Sequence, residues 1–555
     1  MRRLKIIAAV VLVGIGLSGC VGLPTSGSVQ TGSIIDEEAA PDVGYDPRGP
    51  QVGSTPTEIL TDFIQAATNP QDNYAVARQF LSDSIADKWE PNKITQIRSA
   101  TGQSLENADG SLSYTFSSSA YVDESGRYQH SGQTTQRLPY SVVQNADGEW
   151  RINSAPPGIV LSAAGFDTIF DEHALYYFDS TLGYLVPDLR WFPRTTLLST
   201  RLVSALIAGQ SSWLGQGVTV NEFPTGTTLS SRVTTDSGTA TVDLSQEVLE
   251  ASPEQRARMS EQIRNTIGTV SSVVLTVNGV PIDVPDIETA PIVDPTVQTQ
   301  PLVRTDQAFG FINAAGEVTT LAGQSVEISA LGATGVTLAP GRALSAVKAP
   351  DGVHVVFPTN AGERLLDPRP DLAVPSTDAS RFVWSVPLAD ASAIRAFDVD
   401  GNVFPIASAI VPGTRVVSFA VSRDGARLML YTATDVSTEL NVYGILRADG
   451  VPYGLGEPFP VDLDQSLGAI DAAWVDDRTI ATLASQSSSG STVVTLHTLG
   501  GPTTAFGRIT GGQQIVGGNG EDGLRVRTTE GDLYQPRGSN WAQTGLRASF
   551  LATQQ

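Results

Sequence analysis

One cysteine, Cys20, occurs in 555 residues, so no internal disulfide can form and the cores must hold by packing alone. Histidine is nearly as scarce. His130, His173, His354 and His497 stand apart without ligand spacing, which leaves no His/Cys zinc motif, and each reads as a surface or satisfied core residue. The four lysines, Lys5, Lys88, Lys93 and Lys348, begin no Lys-Thr-Gly, so the Ser345-x-x-Lys348 string lacks the partners that penicillin-binding chemistry needs. Cationic charge is short overall: 35 basic against 58 acidic side chains give a net charge of −23. Such a chain is repelled by nucleic acid and by anionic headgroups, and phosphate-backbone binding is excluded. Long apolar runs are missing too. Ile6 to Leu17 would form a helix of about 18 Å, against a hydrocarbon core of about 30 Å, so it does not span.

That run has another use. Arg2, Arg3 and Lys5 precede it and Leu17-Ser18-Gly19-Cys20 follows it, the order of a lipoprotein signal with its lipobox. Small residues before the cysteine admit a peptidase, and the thiol at Cys20 takes a thioether-linked diacylglycerol, with N-acylation completing a stable anchor. A plain secretory signal that happens to contain a cysteine is the alternative. Cleavage removes three cations and leaves 32 basic against 58 acidic groups, a charge of −26. Residues 20–55, rich in Gly, Pro, Ser and acid, read as a tether reaching roughly 30 to 35 Å.

The pattern then predicts a multidomain chain: two small α+β domains followed by an all-β propeller-like domain. In the first, 56–157, Ile59, Leu60, Phe63 and Ile64 mark a helix and Tyr74, Ala77, Phe80 and Leu81 a second one past Asn69-Pro70. Alternation from Leu112, a turn at Gly126 and a hairpin over Asn145-Ala146-Asp147-Gly148 supply a curved, NTF2-like sheet. In the second, 165–282, strands at Ala174–Phe178, Leu185–Pro187, Thr239–Leu244 and Val273–Val277 alternate with helices at 195–208 and after Ser252-Pro253. Five prolines between Pro281 and Pro301 mark a stiff linker, placed at 283–303.

From residue 304 short strands are separated by acidic-Gly turns such as Asp351-Gly352, Asp400-Gly401, Asp424-Gly425 and Asp449-Gly450. Ser418–Leu430 and Ala472–Leu483 resemble each other, each a strand, an acidic turn and a second strand, at a spacing near fifty residues. That period predicts a β-propeller of five or six blades, with a pair of β-sandwiches as the alternative.

Signal, lipobox, two α+β units and a propeller make an architecture that resembles the actinobacterial LpqB lipoprotein family. Ala75-Val76-Ala77-Arg78-Gln79-Phe80-Leu81 with Trp89 resembles its N-terminal domain, and Val186-Pro187-Asp188-Leu189-Arg190-Trp191-Phe192-Pro193 with Val277-Asn278-Gly279 its GerMN module. The resemblance covers nearly the whole chain. It implies a non-enzymatic lipoprotein, lipid-anchored at the extracytoplasmic face of the plasma membrane. The implied partner is the extracytoplasmic domain of an MtrB-type sensor kinase of the MtrAB two-component system, with effects on envelope homeostasis and division. The family carries no accepted catalytic residues and no cofactor.

Residue chemistry adds little to that list. Gly518-Asn519-Gly520-Glu521-Asp522-Gly523 fits G-x-G-x-x-G but runs into a strand pattern, so no helix N-terminus waits for a phosphate. Asp398-Val399-Asp400-Gly401 lacks the later calcium ligands and reads as a hairpin turn. Asp188, Arg190 and Trp191 form a candidate interaction surface, with a structural Asp188–Arg190 pair as the equal alternative. A second function class stays open: a propeller that binds or cleaves wall glycan through paired channel carboxylates, with Trp474, Trp384 or Trp191 as sugar platforms.

Overall fold

The computed structural model describes residues 47–215, 217–358, 362–486 and 490–555. The signal, the lipobox Leu17-Ser18-Gly19, Cys20 and most of the tether lie outside the described residues.

The first unit opens on helix Pro56–Ala66, started by a capping box in which Thr55 and Glu58 satisfy each other's backbone N–H, with proline in the first turn. Its buried face, Ile59, Leu60, Phe63 and Ile64, packs with Trp89, Leu112, Tyr114 and Tyr140. The second expected helix is reduced to Ala75–Arg78, because Asp72, Asn73 and Tyr74 take left-handed φ of 48°, 56° and 61°. Long antiparallel strands Leu112–Asp123 and Tyr128–Gln144 follow, then Trp150–Ser154 across the expected Asn145–Gly148 turn.

In the second unit, helices Leu198–Ala208 and Pro253–Ile267 pack together on strand Phe170–Asp179 and on the parallel pair Thr239–Leu244 and Ser272–Val277. Gly209 at φ 100° and Gly268 at φ 74° end the two helices, conformations a side chain would resist.

Residues 302–555 build six four-stranded antiparallel blades, so the upper of the two expected counts holds among the described residues. Innermost strands Gly335–Leu338, Ser376–Thr377, Arg415–Val421, Leu467–Trp474 and Gly512–Val516 open blades 2 to 6. The chain's last strand, Phe550–Gln554, is the innermost strand of blade 1 and pairs with Leu302–Arg304, which stitches the two ends of the propeller together. The two similar stretches seen in the sequence are the first two strands of blades 4 and 5. In those blades the inter-strand turn is organised by an aspartate: Asp424 Oδ1 accepts from Ala426 N, and Asp476 Oδ1 from Arg478 N and Thr479 N. Asp398 does the same in blade 3, accepting from Asp400 N and Asn402 N, so the calcium-like string is a hairpin turn.

The proline-rich segment is strapped down along its length. Ile292 exchanges backbone bonds with Gly183 and Leu185, and Val297 exchanges two 2.8 Å bonds with the Asn519 side chain. Gln554 Nε2 donates to the carbonyls of Gln298 and Gln300. The G-x-G-x-x-G string is therefore a clamp on the chain's own backbone, made tight by Gly518, whose absent Cβ would stand 2.6 Å from Gly523 Cα.

Candidate functional site at the junction of three modules

Strand Leu185–Pro193 is buried at all nine positions, and its side chains enter three different cores. Leu189 and Trp191 join the core of the first unit, Phe192 that of the second, and Val186 a cluster with Met429, Val442 and Trp474 of the propeller. Trp191 also donates from Nε1 to the Gly500 carbonyl of blade 5 at 2.8 Å, and its ring lies 5.0 Å from that of Phe166. The contact is interlocked further at the tip of the second unit. Trp213 and Val218 press against the outer hairpin of blade 4, where Trp213 meets Phe459 at 5.1 Å and Gly444 leaves room for both. A charged bridge, Arg478 to Glu172 at 3.4 Å, crosses the same boundary.

The expectation of an interaction surface at Asp188, Arg190 and Trp191 is corrected by this burial. Asp188 and Arg190 are 4 % and 1 % exposed and make a two-point pair at 2.5 and 2.8 Å, while Ser211 N and Oγ occupy the remaining acceptor positions of Asp188. With its oxygens satisfied the carboxylate tolerates burial, and the pair fixes the strand in register rather than offering charge to a partner. The sequence could not separate the two readings, because alternating charge on an extended segment is the pattern of an exposed face.

Beside this strand lies a cavity of about 950 Å³ walled by all three modules. Asp123, Arg127 and His130 come from the first, Asp188, Arg190 and Gln210 from the second, and Arg427, Asp462, Arg478 and His497 from the propeller. His130 Nδ1 stands 4.0 Å from Asp462 across the gap. His497 bonds Thr482 at 2.9 Å and is pushed down to about 4 by burial, with His130 adding to the effect, so it is neutral at ordinary pH. His354 is held between Glu363 at 2.6 Å and Asp351 at 2.9 Å, and His173 is half-buried with its Nε2 enclosed and unpartnered. No three His, Cys, Asp or Glu side chains gather as a metal site among the described residues.

The propeller channel is smaller, about 250 Å³, and Asp471 is the sole Asp or Glu side chain in its lining among the described residues. Two facing carboxyl groups, as glycoside hydrolysis uses, are not assembled there. Asp471 accepts from Ala472 N and from Ile515 N of the next blade, both at 2.9 Å. Its carboxyl is pushed up to about 7 by burial deep in the channel, against the opposing pull of those bonds and of Ser418. A raised folded-state value means that stability present below about pH 4 is lost as pH rises through 7. The stability of the wild type is expected to decline from pH 4 to 7, and Asp471→Asn to flatten that decline by up to about 4 kcal/mol. An unchanged slope would show that Asp471 ionises freely. The tryptophans considered as sugar platforms are packed: Trp384 is fully buried on Asp378, and Trp474 donates to the Ala420 carbonyl beneath the Arg427 guanidinium.

Three family profiles match the chain in the order of these modules. "Lipoprotein LpqB, N-terminal domain" covers residues 49–167, "Sporulation and spore germination" 174–283, and "Lipoprotein LpqB beta-propeller domain" 308–548. The chain belongs to the LpqB lipoprotein family. Among its relatives, Lipoprotein LpqB of Cutibacterium acnes is 27% identical over 289 residues, 51% of this chain and 48% of that one. Lipoprotein LpqB of Nocardia farcinica is 32% identical over 213 residues, 38% and 34% of the two chains, and that of Thermobifida fusca 26% over 305, 52% and 48%. The chain thus aligns with half or less of the length of these LpqB relatives. No helix among the described residues is long and apolar enough to cross a membrane.

Proposed function

We propose that this LpqB-family chain is a non-enzymatic docking accessory, lipid-anchored through Cys20 at the extracytoplasmic face of the plasma membrane. In this reading its partner is the extracytoplasmic domain of an MtrB-type sensor kinase, and through it the chain acts on envelope homeostasis and division. The observation that carries the reading is the shared strand Leu185–Pro193: three modules packed on one buried element are suited to holding a partner in fixed geometry. Rigid preorganisation reduces the ordering cost that docking would otherwise incur. The single acidic side chain of the channel and the packed tryptophans give the glycan-acting alternative no pair and no platform.

The test is reconstitution of the lipidated chain with the full-length kinase in liposomes. A saturable change in autophosphorylation is expected; an unchanged rate at excess lipoprotein would sink the signalling role and return weight to wall polymers.

A further inference from the structure

We infer that the first unit holds a small amphipathic carboxylate, an apolar body ending in one anionic group, in a cavity that the docking role does not use. The cavity measures about 560 Å³. Its walls come from helices Pro56–Ala66 and Ala163–Ile169, from the end of strand Ile94–Arg98 and from strand Ile159–Ser162. Ile64, Val160, Leu161 and Ile169 make the apolar side, and Arg98 stands on the polar side. A cavity of this size, apolar with a few placed polar groups, has the form of a small-molecule site.

Charge selects the head of the ligand. Among the described residues of the lining Arg98 is the single charged side chain, with no Asp, Glu or Lys beside it. Its Nη1 donates to the Ala100 carbonyl at 3.0 Å, and it makes no ion pair among the described residues. A guanidinium carries five N–H donors, so the fork keeps donors for a carboxylate. Arg98 ends its strand where pairing with Leu112–Asp123 slips by one residue after Ile97, an irregularity of the kind that re-aims a side chain. Burial pushes the neighbouring Tyr114 hydroxyl up, against the pull of the Arg98 charge, so the tyrosine stays neutral.

The larger cavity at the junction offers no such vacancy. There Arg127 faces Asp123, Arg190 Asp188, Arg427 Asp424, and Arg478 both Glu172 and Asp477. An anion entering that cavity would compete with carboxylates already in place, whereas at Arg98 it competes with none. The chain's net charge of −23 does not forbid it, because repulsion from exposed acids farther than about 8 Å is largely screened at physiological salt. One cation matches one carboxylate better than a phosphate dianion, which would call for a second basic group. The apolar side then favours a ligand with a hydrocarbon body over a bare anion.

Calorimetric titration of the intact chain with octanoate tests this, with octylammonium and acetate as controls. Saturable binding of octanoate alone is expected, weakened at least tenfold by Arg98→Gln, and Arg98→Glu is expected to turn the preference to octylammonium. Ala164→Phe, at an exposed position on the cavity wall, is expected to abolish binding by filling the apolar side, and it serves even where an Arg98 variant folds poorly. No saturable binding, equal binding of octanoate and octylammonium, or acetate binding as tightly as octanoate would each overturn the inference. So would octanoate binding that neither Arg98→Gln nor Ala164→Phe disturbs. Displacement of octanoate by the kinase ectodomain would make the occupant a partner's side chain and overturn the small-molecule assignment while the docking role stands.

Discussion

Arg427→Met lowers the stability of the propeller by about 3–5 kcal/mol, a drop of roughly 10 °C in melting temperature for a domain of this size. Arg427 and Asp424 are 1 % and 3 % exposed and form a direct ion pair, with Ser422 Oγ and Ala426 N also donating to the same carboxylate. Removing the guanidinium leaves a buried carboxylate with two neutral donors and no cation. The Arg427 guanidinium also lies 5.2 Å above the Trp474 ring, so the substitution loosens the seam between blades 4 and 5 and one wall of the cavity. Calorimetric melting of the single variants and of Arg427→Met with Asp424→Asn checks the mechanism. The double variant is expected to recover part of the loss, because the uncompensated charge goes with it; equal losses in single and double variants would place the cost in packing instead.

Gly444→Val is expected to separate the second unit from the propeller. A Cβ at 444 would stand 2.3 Å from Val218 Cγ2 and 2.9 Å from the Trp213 carbonyl oxygen, both set in the buried tip of the second unit. Neither neighbour is the free end of a flexible chain, so the tip must withdraw and give up the Trp213–Phe459 contact. Overpacking of this kind costs typically about 1–3 kcal/mol, here drawn from the module boundary. Gly456→Ala is the control on the same surface, since its Cβ would meet nothing closer than 3.7 Å. Small-angle scattering is expected to show an expanded particle for Gly444→Val and an unchanged one for Gly456→Ala. Unaltered profiles for both would mean that the boundary yields without opening.

The sequence made the modules legible because each rests on local signals: period 3.6 from Ile59, a cap at Ser252, period 2 from Leu112, and acidic turns repeating through the blades. What failed locally was the helix after Asn69, where the apolar spacing of Tyr74, Ala77, Phe80 and Leu81 persists but three successive left-handed residues, ending at Tyr74, confine it to one turn. The closing of the propeller by Phe550–Gln554 was out of reach, since its partner Leu302–Arg304 is some 250 residues away and no local pattern records that pairing.

The junction was hidden for a different reason. Val186–Pro193 has apolar residues at nearly every position, which suits a strand buried on both faces, but Asp188 and Arg190 gave it the look of a charged surface. Only the bonds that Ser211, twenty-one residues beyond Arg190, donates to Asp188 show that the carboxylate is satisfied internally.

The most direct measurement is a calorimetric titration of the chain from Val21 to Gln555 against the MtrB-type kinase ectodomain, for the wild type and for Gly444→Val. The account predicts saturable binding by the wild type and at least tenfold weaker binding once the modules part. No binding, or binding that Gly444→Val leaves intact although the particle has opened, would contradict a rigid three-module docking unit.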